Sequence, residues 1–99
     1  MEYERRRDTV VVHLDGELDH CSAQSVKRDL DGLIADQTVK RLILDMQNMS
    51  FMDSSGIGVI LGRYRMLSQR NGRVSVTNMN PHVEKIFHLS GMNQIIDVI

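Results

Sequence analysis

Residues 41–64 read RLILDMQNMSFMDSSGIGVILGRY and predict a strand followed by a helix. The first six residues, Arg41 to Met46, form a compact apolar run with polar neighbours, which is typical of a strand covered on both faces. A helix is predicted to begin near Ser54 or Ser55, and Asn71-Gly72 supplies its end signal. Apolar residues at helical spacing are expected to face the core: Ile57, Ile60, Leu61, Tyr64 and Leu67.

The residues before this stretch predict a hairpin and a helix. Thr9 to Leu14 reads TVVVHL, a short β-branched run typical of a strand, and Asp15-Gly16 is expected to turn the chain after it. Glu2 to Arg7 is expected to pair with this strand as the other arm of a hairpin, with Asp8 near the turn. Ser22 is predicted to cap a helix that runs to about Asp36.

The residues after it repeat the alternation of strand and helix. RVSVT at 73–77 predicts a strand, and Asn80-Pro81 predicts a helix cap followed by proline at the first helical position. Gly91 is expected to end that helix before a last strand in QIIDVI, residues 94–99. The predicted order is β-β-α-β-α-β-α-β. It indicates an α/β fold with covering helices and a mixed, mostly parallel sheet that begins with an N-terminal antiparallel hairpin.

Composition limits the possible functions. The 99 residues are expected to form a single domain over residues 1–99, and the net charge of −1 argues against a nucleic-acid binder. The basic run Arg5-Arg6-Arg7 lies beside Glu2 and Glu4 and is interpreted as a solvated strand edge. No signal peptide or membrane span is predicted, and the single cysteine, Cys21, indicates a reducing cytoplasm. We therefore expect a cytoplasmic protein with no stable membrane contact.

Functional residues are expected where strands end, in the loops 15–21 and 47–54. Ser54 and Ser55 are out of frame for the Gly-x-Ser-x-Gly elbow of a serine hydrolase. Glycines at 56, 58 and 62 do not have dinucleotide-binding spacing, although a helix N-terminus still attracts anions, so nucleotide binding remains an alternative. The histidine pairs 13/20 and 82/88 do not have ligand spacing. No catalytic, cofactor-binding or metal-binding residue is therefore predicted.

The outward side of the central helix has an unusual composition. Helical projection predicts that it carries Ser55, Gly58, Val59, Gly62, Met66 and Gln69. Each interior glycine costs about 1 kcal/mol relative to alanine. Either these glycines let another element of the fold pack closely, or a partner approaches the backbone there. Two hydroxyls and an acid at the head of the helix favour a docking surface controlled by a serine.

Three segments resemble a known family, the STAS-domain anti-sigma factor antagonists. They are LDGELDH at 14–20, MSFMDSSGIGVILGRY at 49–64 and SGMNQII at 90–96, and the resemblance covers essentially the whole chain in order. It implies a STAS-like mixed sheet and no enzyme activity. It also implies that Ser54, the serine directly after the aspartate, is phosphorylated by an anti-sigma factor that is an ATP-dependent serine kinase.

The resemblance further implies a switch between partners. The unphosphorylated form binds the anti-sigma factor and releases the sigma factor, and a metal-dependent phosphatase of the PP2C type removes the phosphate. Control of sigma F at the onset of sporulation is expected, with another sigma pathway as the alternative. Family members often continue past the position of Ile99 into a further helix; if that helix is missing, part of the cover of the sheet is expected to be missing with it.

The expected partner-binding residues lie around the phosphorylation site: Asp19, Asp53, Ser55, Gly58, Val59, Gly62 and Met66. Asp53 is expected either to cap the helix or to orient the serine hydroxyl and help hold a magnesium ion of the kinase or phosphatase. Asp19 is expected to serve partner contact or loop structure.

Overall fold

A computed structural model describes residues 1–99 and contains one five-stranded sheet and three α-helices. The strands are β1 (Glu2–Arg6), β2 (Thr9–Leu18), β3 (Arg41–Met52), β4 (Arg73–Thr77) and β5 (Asp97–Val98). The helices are α1 (Ala23–Ile34), α2 (Ser54–Ser68) and α3 (Pro81–Leu89), and a short 3-10 turn spans Met92–Gln94. This order confirms the predicted alternation of strands and helices. None of the helices combines the length and apolar character needed to cross a lipid bilayer.

The sheet has the strand order β1-β2-β3-β4-β5, with only β1 and β2 antiparallel. The mixed sheet with an N-terminal hairpin is therefore confirmed. Each parallel connection steps to the next strand in the same direction. Because such crossovers are right-handed, all three helices lie on one face of the sheet.

The core lies between that face and the helices. Along the first half of β3, Leu42, Leu44 and Met46 are buried, whereas Ile43 and Asp45 are only half-buried. The prediction that Arg41–Met46 is covered on both faces is therefore wrong, because a continuous apolar run does not reveal that the crossovers all go to one side. We call the side away from the helices the open face.

The two central strands are longer than predicted. Asp15-Gly16 does not turn the chain, because β2 continues to Leu18 beside β3. The register shifts on both sides of this pair, and Gly16 has a φ of 72°, so the glycine supports an irregularity within the strand. The extension pairs Leu18 with Met52 and brings the ends of β2 and β3 side by side.

The other boundaries differ little from the predictions. The helix α1 ends at Ile34 rather than near Asp36, and the last strand is only Asp97–Val98. Asn80 caps α3 as predicted, since its side chain accepts a 2.8 Å hydrogen bond from the Val83 N–H. Gly91, with a φ of 78°, follows the end of that helix.

Candidate functional site

The candidate site lies at the carboxyl edge of the sheet, where β2 leads into α1 and β3 leads into α2. The Asp53 N–H donates a 3.3 Å hydrogen bond to the Leu18 carbonyl, which joins the two strand ends. Asp19 and Asp53 each follow directly after one of these strands. The structure therefore brings the two predicted loops together.

Asp19 organises the first loop. Its Oδ1 accepts hydrogen bonds from the backbone N–H groups of Cys21, at 2.9 Å, and Ser22, at 3.0 Å. The bond from the Ser22 N–H is the main reason that the pKa of the Asp19 carboxyl lies below its ordinary value. Ser22 occupies the cap position of α1, but its hydroxyl donates to the Glu17 carbonyl at 2.7 Å instead of capping the helix. Ser22 is therefore the cap residue as predicted, but without a side-chain hydrogen bond to the helix, and the loop role expected of Asp19 is observed.

Asp53 caps α2 and leaves Ser54 free of that task. Its backbone is extended, with φ −121° and ψ −169°, and its Oδ1 accepts a 2.8 Å hydrogen bond from the Ser55 N–H. Ser54 is the first helical residue and is exposed, whereas Ser55 is half-buried. The Ser54 hydroxyl is thus presented to solvent at the positive end of the helix dipole.

Gly56 fixes the start of α2 on the two strand ends. A Cβ atom at this position would lie 2.7 Å from Met52 Cγ and 2.9 Å from the carbonyl oxygen of Leu18. A backbone oxygen at that distance cannot yield as a flexible side chain would. Glycine therefore allows the helix to sit directly on β2 and β3, and this contact sets the position of Ser54.

The buried side of α2 is rotated from the predicted one. It consists of Gly56, Val59, Ile60, Arg63 and Leu67, while three residues predicted to face the core are only half-buried: Ile57, Leu61 and Tyr64. Val59 is 7% exposed, so its predicted outward position is wrong. The reason is α1, which packs beside α2 and places Asp31 3.0 Å from Arg63, one turn along from Val59.

The rest of the predicted outward side is confirmed as surface. A Cβ atom on Gly58 or Gly62 would meet no atom within 4 Å, and Met66 is 41% exposed. Packing within this fold therefore does not explain these two glycines. With the half-buried Ser55 they form a surface that we call the glycine strip: Ser55, Gly58, Gly62 and Met66.

The model of the family described as "STAS domain" matches residues 1–99 of this chain. The chain belongs to the STAS domain family. An anti-sigma F factor antagonist from Paenibacillus polymyxa is 38% identical to it over 98 residues, which cover 99% of this chain and 84% of that protein.

Two solved structures resemble this STAS domain closely. The anti-sigma factor antagonist SpoIIAA in its unphosphorylated form superposes with a TM-score of 0.86 at 36% identity, covering 99% of this chain and 86% of that one. The Bacillus cell fate determinant SpoIIAA in its phosphorylated form gives a TM-score of 0.76 at 35% identity, covering 99% of this chain and 89% of that one. The fold of this STAS domain is therefore that of SpoIIAA.

Sequence reasoning missed one exposed aromatic residue at this edge of the STAS domain. Phe51, near the end of β3, is 38% exposed and stacks on the ring of His82 in α3, with ring centroids 5.0 Å apart. The predicted strand stopped at Met46 because the buried residues that follow, Met49 and Met52, are three apart and do not alternate. The pairing of β2 with β3 beyond Met46 was the missing information.

Proposed function

We propose that this protein is an anti-sigma factor antagonist whose unphosphorylated form binds an anti-sigma factor and so releases a sigma factor. Phosphorylation of Ser54 is the proposed off switch. The single observation that carries this proposal is the exposed Ser54 at the head of α2, a helix already capped by Asp53. The similarity to named anti-sigma factor antagonists over nearly the whole chain supports it.

Ser54 is a better phosphate acceptor than its neighbour. A kinase must reach the hydroxyl, and Ser54 is exposed whereas Ser55 is half-buried. The Ser55 N–H is also held by the Asp53 carboxylate. Phosphorylation of Ser54 requires no rearrangement of the helix start.

The phosphate is expected to leave the fold intact. It adds about −1.5 to −2 charges at pH 7. The N-terminus of a helix stabilises a nearby anion by about 0.3–1 kcal/mol, which partly offsets repulsion from the adjacent Asp53. The existence of a solved phosphorylated SpoIIAA is consistent with this expectation.

The same phosphate is expected to prevent docking. A charge that becomes buried at an interface without a partner costs several kcal/mol, and each 1.4 kcal/mol is about tenfold in affinity. An anti-sigma factor that contacts the head of α2 would bury Ser54. The phosphate therefore blocks binding without unfolding the domain.

The proposed contact surface combines the carboxyl edge and the glycine strip. It comprises Asp19, Asp53, Ser55, Gly58, Gly62 and Met66, with Gly58 and Gly62 exposing the helix backbone to the partner. Val59 is buried, so we assign it a packing role beneath this surface rather than direct contact.

The proposed partners follow from this role. An anti-sigma factor with ATP-dependent serine kinase activity phosphorylates Ser54, and a PP2C-type phosphatase restores the hydroxyl. Asp53 is positioned next to the phosphate, where its carboxylate helps hold the divalent ion of either enzyme. We propose sigma F as the pathway on the strength of the Paenibacillus polymyxa relative, which is named an anti-sigma F factor antagonist. A cytoplasmic location is part of the same proposal, since bacterial sigma factors act there.

Intact-mass analysis tests this function. The protein is incubated with ATP and the anti-sigma factor kinase encoded in the same genome. The wild type and Ser55→Ala are expected to gain one phosphate, and Ser54→Ala none. A wild type that gains no phosphate would contradict the proposal, and labelling of Ser54→Ala at the wild-type level would move the site to Ser55.

A further inference from the structure

The strand register arranges the side chains of the open face in three rows across the sheet. The amino row, at the start of the parallel strands, contains Arg6, Thr9, Arg41 and Arg73. The middle row contains Glu4, Val11, Ile43, Ser75 and Asp97. The carboxyl row contains Glu2, His13, Asp45 and Thr77.

The amino row is a set of cations without counterions. Arg6, Arg41 and Arg73 are exposed, and none has a carboxylate oxygen within 4.0 Å. Arg41 and Arg73 are direct partners in the register of β3 and β4. Like charges directly opposite each other destabilise a sheet, so this row lowers the stability of the chain when no partner is bound.

The carboxyl row has the opposite character. It contributes the carboxylates of Glu2 and Asp45. His13 belongs to this row as well, and its ring contacts two carboxylates: Nε2 lies 2.7 Å from Glu4 Oε2 and Nδ1 lies 2.9 Å from Asp45 Oδ2. Val11 and Ile43 give the middle row an apolar centre, with Glu4 on one side of it and Ser75 and Asp97 on the other. The open face is therefore positive at one end, negative at the other and apolar at its centre.

We propose that the open face binds a second copy of this chain, with the strands of the two copies antiparallel. The two-fold axis then crosses the strands at the middle row, where Val11 and Ile43 of the two copies meet. Arg6 faces Glu2 of the second copy, and Arg41 faces its Asp45, because each pair lies four residues apart on one strand, two on either side of the axis. Because the axis is two-fold, each of these pairs occurs twice in the dimer.

The distribution of charge selects this occupant and this orientation. Parallel strands would place the arginine row against itself. A polyanion would match the amino row and be repelled by the carboxyl row. An antiparallel second copy places two of the three arginines, Arg6 and Arg41, against carboxylates, whereas Arg73 faces Thr77. On the axis itself, Glu4 and Asp97 each face their own copy, so the attraction comes from β1 and β3. The two carboxyl edges then point in opposite directions, so both Ser54 hydroxyls stay accessible, and this inference does not depend on the proposed function.

Charge-swap variants test the dimer by sedimentation equilibrium. The wild type is expected to dimerise with a dissociation constant that rises with salt. Either Arg6→Glu or Glu2→Arg places like charges together at two symmetric positions, and each is expected to weaken the dimer by about tenfold or more. The double variant Arg6→Glu/Glu2→Arg is expected to restore it. Arg28→Glu, at an exposed site on α1, changes the net charge as Arg6→Glu does; it is the control for that variant and should leave the dimer unchanged.

Circular dichroism establishes that each variant is folded before association is compared. An equimolar mixture of the two single variants is expected to form the heterodimer in preference to either homodimer. A wild type that stays monomeric at all accessible concentrations overturns the proposal, as does a double variant no tighter than the singles. Binding of a short polyphosphate by a monomeric wild type would assign the face to an anion instead.

Discussion

Asp53 caps the N-terminus of α2, a role that a serine at a helix start often performs. When a serine caps a helix, its hydroxyl accepts a backbone N–H and is no longer free. Here the Asp53 carboxylate accepts the Ser55 N–H at 2.8 Å, and Ser54 follows it as the first helical residue. The side chain that is modified and the side chain that holds the helix are therefore separate residues.

Asp53→Asn separates the two roles of this carboxylate. Asparagine caps a helix nearly as well as aspartate, so the free energy of unfolding should change by less than the loss of a cap would change it, which is about 0.5–2 kcal/mol. Removal of the charge beside Ser54 should slow phosphorylation and dephosphorylation. Both rates are measured with purified kinase and phosphatase, with Asp53→Ala as the variant that also loses the cap. If turnover by both enzymes is unchanged, Asp53 is only a cap.

At the scale of one element, α2 uses its three glycines for two different purposes. Gly56 allows the helix to contact the Leu18 carbonyl, whereas Gly58 and Gly62 face open space. A glycine inside a helix costs about 1 kcal/mol relative to alanine, and no contact within this chain offsets that cost at Gly58 or Gly62.

Alanine substitution should therefore have opposite effects along the same helix. We expect Gly62→Ala to stabilise the domain by up to about 1 kcal/mol, since the new Cβ meets nothing. Gly56→Ala should destabilise it, since the Cβ would lie 2.9 Å from the Leu18 oxygen. Urea unfolding of both variants checks this; equal effects would show that the two sites do not differ in packing.

A larger side chain tests the glycine strip as a docking surface. Gly62→Leu should fold and lose affinity for the anti-sigma factor, because the added bulk lies where the partner approaches the backbone. Gly32→Leu on α1 is the matched control, since a Cβ there also meets no atom within 4 Å, and it should bind as the wild type does. Wild-type affinity of Gly62→Leu in a titration with purified partner would remove the strip from the interface.

Local signals were sufficient for most elements but not for the contacts between them. The cap at Asn80, the proline that follows it and the end signal at Gly91 were predicted because each acts on its own neighbours. Asp15-Gly16 has the local signature of a turn, but pairing with β3, far away in sequence, keeps it in a strand. Val59 was misplaced for the same reason, since only the position of α1 decides that it is buried.

At the scale of the whole molecule, His13 joins three strands of the sheet. From β2 it contacts Glu4 in β1 and Asp45 in β3, and Asp45 also accepts a 2.9 Å hydrogen bond from Asn78 Nδ2, which follows β4. The hydrogen bond with Glu4, and then the one with Asp45, raise the pKa of His13 above its ordinary value. The hydrogen bond from Asn78 is the main reason that the pKa of Asp45 is lowered.

This cluster predicts a pH dependence with a definite sign. A raised pKa means that the folded state favours protonated His13, so its contribution is complete below the unfolded pKa of about 6.5 and is lost as pH rises through the folded pKa. The urea midpoint should fall between about pH 6 and pH 8 in the wild type, and less so in His13→Gln. The other three histidines are common to both proteins and cancel in the difference. Parallel pH profiles for the two proteins would contradict this role.

The proposed switch at Ser54 is tested by the affinity of one anti-sigma factor for two forms of this protein, measured by titration calorimetry at fixed salt. The forms are the wild type and the same protein phosphorylated at Ser54, with Ser54→Ala and Ser54→Asp as controls. We expect the wild type and the alanine variant to bind alike, the aspartate variant to bind more weakly, and the phosphorylated form to bind at least about a hundredfold more weakly than the wild type. Equal affinity of the phosphorylated and unphosphorylated forms would contradict the proposal that a charge at the head of α2 controls docking.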